Sequence, residues 1–241
     1  MRRLKLMLKK IILCILCVLS FSSMFLGVSH AAGVIPETSV VLLEVADGEG
    51  VITLKNTDAE PVLLYTSIES LPEDQENIVF VTPPVARVEP GGKQLVRFIL
   101  QPNSKINKQR LKRVIFEGIP QVDPSKPSKI KMTVRQNLPV LINPKNLPAK
   151  TNPWELLRWS IHGKKLTVKN DSPYVVRLNM AIDLQPSLSR LSLTRPYILP
   201  GKSEDIALPE FFEEHQMTGV RIYPVSVYGY QVKPYDAVLS N

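Results

Sequence analysis

The 21 prolines of this 241-residue chain most constrain its fold, because they fall between short apolar runs that lack helical periodicity. Proline removes a backbone donor and breaks helix interiors, yet suits loops and the edges of β-sheets. The runs themselves are rich in Val, Ile, Leu, Thr and Tyr: "TSVVLLEV", "GVITLKN", "VLLYTSIES", "NIVFVT", "KQLVRFILQ" and "LKRVIFEGI". With one longer stretch after them they fill residues 36–143. Turn signals punctuate them, "DGEG" at 47–50 and "PGGK" at 90–93. About seven short strands in a span of about 110 residues predict a β-sandwich.

The longer stretch is "SKIKMTVRQNLPVLINP", Ser128 to Pro144. Its even positions read Ile130, Met132, Val134, Gln136, Leu138, Val140 and Ile142, and its odd positions Lys131, Thr133, Arg135, Asn137 and Pro139. That alternation runs for about twice a usual strand. Two readings follow. The apolar comb faces the chain's own core, or its first part, Ile130, Met132 and Val134, is offered to another chain by β-augmentation.

The two ends of the organisation are clear. "MRRLKLMLKK" carries five basic residues and no acid, and an apolar run, then "SHAA", follows. This is the pattern of a secretory signal peptide over 1–31, cut after Ala31 or Ala32; the rival reading is a retained anchor, against which the serines and the small-residue exit argue. Both cysteines lie inside that segment. Its removal leaves 25 Lys and Arg against 22 Asp and Glu, near +3, so the basic pI is no argument for nucleic acid. "NPKNLPAKTNP", Asn143 to Pro153, reads as a linker between one β domain at 33–146 and a smaller β domain at 151–241.

Catalytic and metal chemistry finds little footing. His162 and His215 are isolated, without ligand spacing. "PGKS" at 200–203 lacks the earlier glycine of a phosphate loop, and there is no nucleophile elbow. The basic run "KINKQRLKR" at 105–113 reads as a solvated turn plus one strand face. Arg97, inside an apolar strand, must face outward or find a partner. The chain is expected to be no enzyme and to need no cofactor or metal.

"VTPPVARVEPGGKQLVRFIL" at 81–100 resembles the centre of the N-terminal domain of PapD-like periplasmic pilus chaperones. "FEGIP" at 116–120, "NLPVLINP" at 137–144, "NDSPYVVRL" at 170–178 and "YILPGKSEDI" at 197–206 follow in the family's order. The resemblance implies an all-β protein of two immunoglobulin-like sandwiches in a boomerang arrangement. It also implies a periplasmic chaperone that binds pilus or fimbrial subunits by donor-strand complementation and delivers them to an outer-membrane usher. On it, Ile130, Met132 and Val134 are the donor residues.

The sequence departs from the family at one point. Members grip the subunit's terminal carboxylate with an Arg on the first strand and a Lys on the last N-domain strand; those positions are Ser39 and Pro139 here. Arg135 is the leading substitute, able to hold a carboxylate bidentately, with Asn137 and Ser39 adding neutral hydrogen bonds; its other reading is an ordinary exposed strand arginine. The alternatives at the level of function are an exported pilus subunit or adhesin, and a carbohydrate-binding protein or hydrolase. A subunit would be one incomplete domain, often with a disulfide. A hydrolase would want clustered aromatics or a carboxylate pair.

Overall fold

The computed structural model describes residues 33–121, 133–209 and 217–240. The first half is built from β1 (Val34–Pro36), β2 (Val41–Glu44), β3 (Glu49–Asn56), β4 (Val62–Glu69), β5 (Val79–Thr82), β6 (Val85–Val88), β7 (Lys93–Leu100), β8 (Arg110–Pro120) and β9 (Arg135–Asn143). These follow one another across the fold in the order β5-β7-β3-β2-β9-β8-β4-β6, with β1 on β3. Their alternation buries Leu43, Leu54, Ile78, Val96, Phe98, Val114, Phe116 and Val140 in one core. Outward residues of the same strands stay in water: Arg97 is exposed and pairs with Glu49 across the ladder from β7 to β3.

After the linker comes a 3-10 turn at Pro153–Leu156. There follow β10 (Leu157–His162), β11 (Lys165–Asn170), β12 (Val176–Leu178), β13 (Ala181–Gln185), β14 (Arg190–Ser192), β15 (Tyr197–Ile198), β16 (Ser203–Ala207), β17 (Gly219–Ile222), β18 (Pro224–Val225) and β19 (Tyr235–Val238). They pair as three small sheets, β10-β11-β16, β15-β12-β18 and β14-β13-β17-β19, around a fully buried Trp159. His162 closes the β10–β11 hairpin, where Gly163 takes φ +59°. Residues 210–216, and His215 with them, lie outside the described residues.

Both halves use the same corner. Asn56 ends β3 and Asn170 ends β11, and each side chain is wholly buried. The Asn56 amide donates to the carbonyls of Glu60, Val88 and Glu89, and the Asn170 amide to those of Tyr174 and Ile198. Opposite each asparagine sits a Pro-Gly turn. Gly91 and Gly201, at φ +70° and +74°, donate their N–H groups to the backbone oxygens of Asn56 and Asn170. The "PGKS" stretch is thus the second copy of the "PGGK" turn, which explains its glycine without a phosphate.

A third apolar cluster joins the halves: Val40, Leu71, Leu111 and Leu141 from the first, Val175 and Leu199 from the second. Leu141 belongs to the odd face of β9, which is polar up to Pro139 and turns apolar where it meets the second half. Val140 and Ile142, on the even face, are buried in the first core, and Leu138 packs partly against it.

Candidate functional site

The site is built on β9 and the strands beside it. β9 pairs with β8 along its whole length, from Arg135↔Glu117 to Ile142↔Arg110. On its other side it pairs in parallel with β2, but only from Val140 to Asn143. Over Arg135 to Pro139 no strand among the described residues pairs with that edge. The cause lies upstream: the chain runs with β3 as β1, then crosses at Glu37–Val40 before joining β9 as β2. Backbone donors and acceptors along an unpaired edge are a template for an added strand. Val134 stands just before β9, half exposed, in phase with the buried even face. Ile130 and Met132 lie outside the described residues.

Of the residues expected to hold a carboxylate, each is placed differently. Arg135 meets Glu117 at 3.2 Å and is largely exposed. It lies four positions before Pro139, about 13 Å along the strand. The Ser39 hydroxyl donates to the carbonyl of Tyr228 at 2.9 Å, fastening the start of β2 to the second half. Gly229 (φ +89°) packs so closely on Ser39 that a Cβ there would collide with the hydroxyl. Asn137 is the one brought to a further cation: its Oδ1 and its backbone oxygen accept from Arg113 at 2.6 Å each, while its amide reaches Glu69 at 3.2 Å.

Arg113 lies on β8 directly across from Pro139, with Glu69 of β4 on its other side. A cation thus lies one strand over from Pro139. Across the junction stands Arg177, at the centre of the β15-β12-β18 sheet, and one of its guanidinium nitrogens is buried with no hydrogen-bond partner. Burial, and then the neighbouring Arg113 charge, pull its pKa down to about 10. Burial likewise pulls Arg113 below the usual arginine range, against the opposing charge of Glu69. Two partly desolvated guanidiniums whose charges act on each other, one with an idle donor, offer a place that an anion would fill. Sequence reasoning passed over both. Arg113 sat at the end of a basic run, and Arg177 inside the motif "NDSPYVVRL"; only the packing of the two halves brings them together.

The comparisons with known proteins now bear on this geometry. Residues 33–148 match the model of the pili and flagellar-assembly chaperone PapD N-terminal domain, and residues 152–235 that of the pili assembly chaperone PapD C-terminal domain. A relative described as an uncharacterized fimbrial chaperone, YhcA of Escherichia coli (strain K12), is 42% identical over 206 residues, covering 85% of this chain and 90% of its own.

The chain belongs to the PapD-like family of pilus-assembly chaperones.

Solved PapD-like structures share the fold. The Salmonella enterica SafA pilin in complex with the SafB chaperone gives a TM-score of 0.70 at 16% identity, covering 88% of this chain and 98% of that one. The E. coli chaperone DraB gives 0.65 at 18% identity, covering 87% and 97%. The expected class, all-β with two sandwich domains, is thereby met, and the protein is a PapD-like pilus-assembly chaperone. Among the described residues no group of His, Asp or Glu is placed to hold a metal ion.

Proposed function

We propose that this chaperone captures a pilus or fimbrial subunit by lending it the open edge of β9 and the segment before it, and that Arg113 and Arg177 hold the subunit's terminal carboxylate. The observation that carries the reading is the coincidence of two features on one strand pair. The unpaired edge of β9 runs from Arg135 to Pro139, and it ends beside the two guanidiniums. Main-chain hydrogen bonds along the edge contribute about 1 kcal/mol each, and an apolar side chain buried in the subunit, Val134 among them, about 1.5–3 kcal/mol. In the sequence Ile130 and Met132 share the even parity of Val134. Asn137 holds Arg113 in place rather than touching the carboxylate, and Arg135 stays with Glu117 at the margin.

This assignment resolves the departure at Ser39 and Pro139. The basic pair is kept, but one member moves across the ladder from β9 to β8 and the other comes from the second half. The protein acts in the periplasm, where the pattern of residues 1–31 would send it, and hands its subunits to an outer-membrane usher. Nothing in the reading requires bond-breaking chemistry or a cofactor.

Co-expression with a subunit encoded beside the chaperone tests it. A stable one-to-one complex is expected, and either Arg113→Ala or Arg177→Ala should weaken it by about 2–5 kcal/mol, since a carboxylate is left facing a single cation. Subunit that accumulates equally without the chaperone, or complexes indifferent to both variants, would overturn the proposal.

A further inference from the structure

Two like charges do not hold themselves at a useful distance, so something else must set the gap between Arg113 and Arg177. Arg113 lies on the same face of its strand as Leu111 and Gln109, four residues back and about 13 Å along it. Arg177 lies two residues after Val175. Leu111 and Val175 share the apolar cluster at the junction. Gln109 spans that junction with both ends of its residue. Its backbone N–H donates to the carbonyl of Pro173 at 2.9 Å, and its side-chain Oε1 accepts from the N–H of Val175 at 2.8 Å. Its Nε2 donates to Asn143 Oδ1 at 2.8 Å, and Asn143 in turn donates to Glu44 at 2.6 Å. One side chain thus ties the start of β8, the end of β9 and the strand bearing Arg177 into a single frame.

We propose that Gln109 is a positioning residue, which fixes the seat of the segment leading into β12 against the start of β8 and so the spacing of the two guanidiniums. The proposal rests on the reading of Arg113 and Arg177 as the carboxylate site. The bonding pattern explains the residue type. The Val175 N–H needs an acceptor and Asn143 Oδ1 needs a donor, and a primary amide supplies both from one end. It also explains why Arg177 can be left partly unpaired: the frame is closed by neutral hydrogen bonds at one end of the seam, so the site need not collapse to satisfy it.

The test uses the full chain and a defined probe, N-acetyl-dialanine with a free carboxylate, against the same peptide as its C-terminal amide. The side-chain Nε–H resonances of Arg113 and Arg177 are followed by NMR. In the wild type both should move along one titration curve with the acid, and neither with the amide. In Gln109→Met, which keeps the length and loses the hydrogen bonds, the two curves should separate and the apparent Kd should rise about tenfold. Asn143→Ala, which removes one of the three bonds, should raise it two- to fivefold. A Gln109→Met protein with the wild-type Kd and a shared curve would overturn the positioning role while leaving the carboxylate site standing. Equal response of the wild type to acid and amide would overturn the site, and the positioning role with it. Should Gln109→Met fail to fold, Asn143→Ala decides alone: an unchanged Kd with a shared curve overturns the proposal.

Discussion

Single residues here show a conflict between stability and use. Arg177 is partly buried, feels the charge of another cation and leaves a buried donor idle. A base whose folded pKa is depressed opposes folding wherever it is charged. That penalty is in full force below about pH 10 and is relieved only as the pH rises through that value toward the unfolded one. Replacing the charge with an apolar side chain of similar length should therefore help the fold. Arg177→Met is expected to raise stability by about 1–3 kcal/mol at neutral pH in denaturant unfolding, while weakening subunit capture. A variant that loses stability would mean that Arg177 has a structural partner. The same residue shows what a linear reading misses. Its sequence neighbours, Asp171 to Leu178, look like an ordinary turn and strand, and the meaning of its charge appears only when β12 is set against β8.

At the scale of the strand, much was legible in advance. The period-2 pattern of 128–144 gave both the existence of β9 and the faces of its residues, because one face had to be buried. The even residues Val140 and Ile142 are in the core as their phase requires. Leu141 escaped notice, since the odd face becomes apolar only where a second domain covers it, and no period within one strand reports that. The proposed anchor could not be read either: a proline where the family resemblance expects a lysine looks like loss until the ladder shows Arg113 across from it. Phase makes a sharp prediction. Thr133 and Val134 are both exposed and precede β9. Val134→Asp should weaken the subunit complex by about 10- to 100-fold, whereas Thr133→Asp should change it little; neither should alter thermal stability. Equal effects of the two on co-purification would remove the phase argument.

Across the whole molecule, the junction depends on an acidic loop. In "LPEDQE", Leu71 packs into the joining cluster and Glu73 pairs with Arg195 of the second half. Asp74 binds Arg110 and the buried ammonium of Lys112. The acidic loop is not merely solvated; its carboxylates are spent on cations that the strands bring to the seam. Burial alone would raise the Asp74 pKa, but the hydrogen bonds from Arg110 and Lys112 outweigh it and hold the carboxyl below its ordinary range. For an acid with a depressed folded pKa, the stabilisation is present above the unfolded value, about 4, and is lost as pH falls through the lower folded one. Asp74→Asn should cost about 3–5 kcal/mol at neutral pH, because Lys112 keeps its charge without a counterion. It should also flatten the acid limb of the stability curve below pH 4. A curve as steep as the wild type's would place the acid sensitivity elsewhere.

The open edge of β9 and the arginine pair at its end have a consequence for how a partner is measured. A strand held only by its edge can slide, and a slip of one residue turns every side chain to the opposite face. A strand whose terminus is pinned has nowhere to slide. If the proposed carboxylate site beside Pro139 pins the client's terminus, the chaperone becomes a ruler that counts back from the last residue of its client, and the unit on that ruler is two. Clients would then be selected by the parity of the distance between their apolar positions and their own chain end, a property that no single side chain of either protein carries.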